Sequence, residues 1–279
     1  MNKPIKYPTL VLLLLFMAWA ASGNVLLLAA GKLLGDWTRQ HFAAWLRIGQ
    51  VATVTLSFIL PALYVMRRQG YAVSLLPSRS HRWQDFTYAT VAWLSITPLV
   101  NLTSQWNHRL TAFGAFKHLE ALQQTLAKTT KALINFDTAW EFIIVLLVAA
   151  VLAAVAEELF FRGAMQNSLL QNIKPVWAIV IVAVVFSLMH GDALDFVPRV
   201  VLGLLLGYVA WKTRTRAVTV LIHTLNNTCA LLGEHYGIDA LESYGTGSTW
   251  YLSVAGLAIA VWALCTIKGN PADASASGQ

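Results

Sequence analysis

Two adjacent carboxylates, Glu157 and Glu158, follow an apolar run from Phe142 to Val155, and Arg162 comes four residues after the second of them. An ionisable side chain in such a segment costs at least about 2.5–3.5 kcal/mol to place in a bilayer, so by default it marks a functional site. Glu158 and Arg162 have the spacing of an ion pair on one helical face. A structural staple explains that pair as readily as chemistry does. Glu157 projects about 100° away from Glu158 and has no charge partner in its own helix, which makes it the better catalytic candidate of the two.

Few other strongly polar side chains occur in the apolar segments that follow. They are His190, Arg199, His223, Asn226 and Asn227. A lone histidine such as His190 reads as an interfacial residue. His223 and Asn227 differ, because a four-residue spacing stacks them on one helical face. Taken together, these residues suggest a shared polar pocket suited to amide hydrolysis. A buried carboxylate can act as base toward water, and an imidazole N–H and an Asn amide can donate to a developing oxyanion.

These side chains need elements to hold them, and the composition says which kind. Of 279 residues 57% are hydrophobic and 12% charged, against roughly 25% charged in ordinary soluble domains. Several apolar runs approach or exceed the roughly 20 residues of a spanning helix. The expected fold is all-α, a polytopic transmembrane bundle of about eight helices around an intramembrane catalytic cavity. The expected spans are residues 10–30, 43–66, 86–102, from about Trp140 through the Glu pair, 176–190, 196–211, 217–232 and 251–267. A signal-peptidase-like Ala18-Trp19-Ala20 lies in the first run. Hydrophobicity continues beyond it, which favours an uncleaved helix over a removed leader.

The organisation expected is N-terminal helices and an amphipathic connector over residues 1–138, a catalytic core over 139–233, a last membrane helix over 234–268 and a disordered tail over 269–279. In the connector, Phe113, Phe116, Leu119, Leu122 and Leu126 recur at helical spacing, inside a polar connection running from Ser104 to Thr138. Gly203 and Gly207 form a GxxxG spacing that lets a neighbouring helix come close. Cys229 and Cys265 offer neither a disulfide framework nor a metal spacing and read as small buried hydrophobes.

The formal net charge is +7, but the basic residues sit mainly in short connections: Lys3 and Lys6; Arg67, Arg68, Arg79 and Arg82; Lys212, Arg214 and Arg216. That alternation follows the positive-inside bias. It argues against nucleic acid as a partner and puts both termini in the cytoplasm, with Asp192, Asp195, Glu234, Asp239 and Glu242 on the opposite side. If the Glu-bearing helix continues past Arg162 and turns near Gln171 to Pro175, Glu157 and His190 each lie roughly 20 Å from that turn. His223 fits less neatly, being only roughly 10 Å past the basic loop.

The three-part pattern Glu157-Glu158-x-x-x-Arg162, Phe186-x-x-x-His190 and His223-x-x-x-Asn227 resembles the CPBP intramembrane proteases. That family contains the type II CAAX prenyl endopeptidases and the bacteriocin-processing and immunity proteins. The resemblance covers about residues 140–233. It implies proteolysis of a membrane-anchored protein or peptide, with Glu157 activating water, His190 helping to hold it, and His223 and Asn227 binding the oxyanion. Glu158, Arg162 and Phe186 would support the site. It also implies an integral, multi-pass protein, expected in a bacterial plasma membrane with the lipid bilayer as its surroundings.

Metal dependence divides the reading. No cofactor is required for a glutamate mechanism, which is the reading taken. The alternative is zinc on Glu157, His190 and His223, a His₂Glu set with a position left for water. Two functions of other kinds use the same residues: a non-catalytic membrane peptide-binding or immunity protein, and a proton-coupled transporter. The second lacks the inverted repeat that such transporters carry.

Overall fold

The computed structural model describes residues 4–73, 75, 83–111, 120–238 and 244–268. Its main elements are α1 (Pro8–Leu34), α2 (Phe42–Gln69), α3 (Trp83–Thr111), α4 (Glu120–Ile134), α5 (Ala139–Leu170), α6 (Pro175–Met189), α7 (Phe196–Thr213), α8 (Arg216–Tyr236) and α9 (Tyr251–Thr266). No strand occurs among the described residues. A helix stands at each expected span. By length and apolarity α1, α2, α5 and α7 are able to cross a membrane, while α6 and α9 are shorter apolar helices.

Local chemistry sets several boundaries. α6 opens on Pro175 at its first positions, where a missing N–H costs nothing and the fixed φ suits a helix. α2 stops at Gly70, whose φ of 71° is the left-handed conformation that glycine enters without strain. α5 starts from a reciprocal cap. The Glu141 N–H donates to Thr138 Oγ1 at 3.2 Å, and the Asp137 N–H donates to Glu141 Oε2 at 2.9 Å.

The helical spacing read in the connector is met at its far end, where α4 carries Leu122 and Leu126, while α3 runs beyond the expected end of the third span to Thr111. One sequence expectation needs correction: the two cysteines are not buried. Cys229 and Cys265 are free thiols on the exposed surface, because in an apolar medium a small hydrophobe gains nothing by turning inward. Phe113, Phe116, Leu119, Arg79, Arg82, Asp239, Glu242 and the 269–279 tail lie outside the described residues.

The outside of the helices is apolar. Leu28 is 69% exposed and Leu33 88%, and Leu10, Leu14, Met17, Val254, Ile259 and Trp262 also face outward. So many large apolar side chains facing outward are far beyond what a water-soluble monomer exposes. With four helices long enough to cross, they make this an integral membrane protein.

The chain divides into two compact units that interleave in sequence. The first takes Met1–Val73, Gln123–Asn172 and His223–Gly237. Arg47 is buried within it, although it sits inside a candidate span. Its Nε donates to Leu133 O at 3.2 Å, its Nη2 donates to Asn135 O, and Nη1 lies 3.8 Å from Glu141 Oε1. One guanidinium on α2 thus fastens the end of α4 to the start of α5.

The second unit takes Ser74–Leu122, Ile173–Ile222 and Ile238–Gln279. Small residues set its helix contacts. A Cβ on Gly203 of α7 would stand 3.0 Å from Ala183 Cα and Cβ on α6, and one on Gly256 of α9 would stand 2.0 Å from Ser95 O on α3. The close approach expected at the GxxxG spacing is met at Gly203. The Asn101 amide on α3 donates to Tyr244 O at 3.0 Å, tying down the segment that leads into α9.

Candidate active site

The first unit builds its polar centre on one stretch of α5. Every residue from Glu158 to Gln166 is buried, and over this stretch the backbone winds wide, with i→i+5 bonding. The stretch is seated by aromatic packing. Phe160 lies 5.6 Å from Phe16 of α1 and 5.2 Å from Phe58 of α2, centroid to centroid, and Phe161 lies 6.2 Å from Phe58. These rings meet edge-on or tilted, the arrangement their quadrupoles favour. The Arg162 guanidinium sits 5.9 Å over the Phe161 ring.

On this seat the carboxylates separate in role. Glu158 is wholly buried, and its Oε1 lies 3.0 Å from Arg162 Nη1, the i,i+4 pair expected from spacing. The same Oε1 lies 3.0 Å from His223 Nδ1. Glu157 keeps 14% of its side chain exposed and places Oε2 3.5 Å from His223 Nε2. The His223 imidazole therefore lies between the two glutamates, one at each ring nitrogen. The spacing gives Glu157 no charge partner in its own helix; His223, the companion expected from a later helix, stands beside it on α8.

The doubt about the depth of His223 is resolved by these contacts, since the residue shares the level of both glutamates. Asn227, one turn further along α8, is half-buried. Within the first unit, then, Glu157, Glu158, Arg162 and His223 are gathered into one cluster.

Phe186 and His190 belong to the second unit. His190 Nδ1 lies 2.7 Å from the Phe186 carbonyl oxygen, and the two rings are 4.8 Å apart at an edge-on angle. A carbonyl can only accept, so Nδ1 carries the proton, and Nε2 of a neutral ring holds the lone pair. The Phe-x-x-x-His spacing has a physical meaning here. The buried phenylalanine supports the imidazole with its ring and anchors it with its main chain.

Sequence reasoning missed the supports of this cluster. Phe16 and Phe58 come from spans without a motif, and nothing in one sequence distinguishes them from other apolar residues. Arg47, which holds the start of α5 rather than the cluster itself, did carry a signal, being a charge inside a spanning segment. Among the described residues, no three His, Cys, Asp or Glu side chains gather as a metal ion requires.

An all-α membrane protein with a buried carboxylate–guanidinium–imidazole cluster is the class these features define. Residues 139–229 match the family model described as type II CAAX prenyl endopeptidase Rce1-like. The segment holds all three motifs, from the Glu pair to Asn227, and agrees with the family suspected from them. At family level the match supports proteolysis of a peptide substrate by a membrane-embedded protein. No curated protein and no solved structure matches the chain.

Proposed function

We propose that this protein is an intramembrane endopeptidase that hydrolyses a peptide bond in a membrane-anchored protein or peptide, with Glu157 as general base. The observation that supports this most is the His223 ring lying between Glu157 and Glu158, inside the segment that matches a protease family. Glu157 is the more accessible carboxylate and accepts a proton from water as the water oxygen attacks the scissile carbonyl. The tetrahedral intermediate then collapses, and the proton passes to the departing amine. His190 is assigned, from the resemblance, to hold the attacking water, a role its lone-pair Nε2 suits by accepting a hydrogen bond from that water.

His223 and Asn227 are assigned to the oxyanion. Because Nδ1 of His223 faces a carboxylate, it carries a proton, so donation from Nε2 requires both ring nitrogens to be protonated. Glu158 and Arg162 hold that ring in place. The reading includes a bacterial plasma membrane with both termini on the cytoplasmic side.

The test is Glu157→Gln in purified protein, reconstituted in lipid, against a membrane-anchored peptide library. Loss of a general base is expected to slow cleavage by about 10²- to 10⁴-fold. Undiminished cleavage would end the glutamate assignment. Chelation of the wild type is expected to leave the rate unchanged; loss restored by added zinc would favour the metal mechanism. A binding or immunity protein predicts instead that Glu157→Ala and His223→Ala leave the cellular phenotype intact.

A further inference from the structure

Outside the matched segment, α3 carries two polar side chains aimed at the loop that follows His190. Asn107 is 6% exposed, and its Nδ2 donates to the carbonyls of both Ala193 and Leu194. Ser104 Oγ donates to Asp195 Oδ1 at 3.2 Å. From the start of α7, Arg199 grips the same loop. Its Nη2 lies 3.0 Å from Asp192 Oδ2 and 3.4 Å from Asp195 Oδ2, and its Nη1 donates to Asp192 O at 3.4 Å. The Leu194 N–H closes the loop onto Asp192 Oδ1 at 3.0 Å. All of these groups lie in the second unit.

This latch bears on one ring. The last turn of α6 is tightened: His190 N–H donates to Ser187 O at 3.2 Å and Gly191 N–H to Leu188 O at 3.1 Å. These are i→i+3 bonds, one step short of the helical pattern, and they leave the Phe186 carbonyl to take the imidazole Nδ1–H instead. A helix end fixed only by its own hydrogen bonds frays. Here Gly191, with φ of 67°, turns the chain directly into the loop that Asn107 and Arg199 hold.

We propose that Asn107, working with Arg199 and Ser104, is a positioning residue for His190. By pinning the 191–195 loop it keeps the last turn of α6 tightened and the His190 ring anchored through Nδ1. The geometric claim stands by itself; its catalytic consequence rests on the assignment of His190 to the attacking water.

The test is ¹⁵N-histidine NMR of the full chain in lipid nanodiscs, with the His190 signal assigned by its loss in His190→Gln. Wild type is expected to show the Nδ1-protonated tautomer. Asn107→Ala is expected to show a mixture with the Nε2-protonated form, and to cleave the reporter peptide about 10- to 100-fold more slowly, the order of loss expected when a reacting group is misplaced. A folded Asn107→Ala with an unchanged His190 tautomer overturns the proposal, because a general loss of stability would not alter the ring. A changed tautomer with undiminished cleavage supports the latch and removes His190 from the reaction, so the two failures separate. Should Asn107→Ala not fold, Ser104→Ala and Arg199→Gln cut the latch from its other contacts, and unchanged tautomers in both would overturn it equally.

Discussion

Replacing Arg162 by Met tests whether the buried ion pair is a structural device as well as a support for His223. The Arg162 and Glu158 side chains are 1% and 0% exposed and 3.0 Å apart. Removing one member of a buried pair costs about 3–5 kcal/mol, and the His223 Nδ1–H that remains 3.0 Å from Glu158 Oε1 puts the loss at the lower end of that range. For a chain of this size each kcal/mol moves the melting temperature by about 2–4 °C, so Arg162→Met is expected to melt about 10 °C below wild type. The double variant Glu158→Gln/Arg162→Met removes both charges while leaving an amide oxygen to accept from His223 Nδ1. It is expected to be more stable than Arg162→Met alone, because replacing a whole buried pair by neutral groups is often close to neutral. Thermal unfolding in detergent, followed by far-ultraviolet circular dichroism, measures both. A single variant melting within about 2 °C of wild type, or a double variant less stable than the single, would refute the reasoning.

Two further outcomes follow from the packing. Phe160→Ala, which empties a buried position between Phe16 and Phe58, is expected to lose about 3–5 kcal/mol and to slow cleavage by loosening the seat of the glutamates; the same melting and cleavage assays report both. Gly203→Leu drives a side chain against the α6 backbone at Ala183. A loss of about 1–3 kcal/mol is expected in the melting assay, whereas leucine at the outward-facing Leu204 position is already accommodated.

The extent of helix was readable because it depends on short-range rules. Apolar runs of spanning length are dictated by the thickness of the bilayer, and each expected span has its helix. Gly203 was readable for a related reason, since a missing Cβ in a membrane helix invites a neighbour. Burial followed less faithfully. Cys229 and Cys265 were expected inside and lie outside, because apolar residues on a lipid-facing helix carry no information about which way they point. α3 outran its hydrophobic stretch, its polar C-terminal turns being retained because Ser104 and Asn107 have hydrogen-bonding work in the 191–195 loop.

By itself the sequence determined an all-helical membrane chain, the Glu158–Arg162 pairing that four-residue spacing imposes, and three motifs that point to one family. It could also separate Glu158 from Glu157, because only one of them has a partner at helical reach. What the tertiary structure decided is the company these residues keep. His223 lies between the two glutamates although 65 residues separate it from Glu158, and Phe16 and Phe58 support their stretch of α5 from helices without a motif. Contacts of that range arise from packing between helices, and neither periodicity nor hydropathy encodes which faces meet.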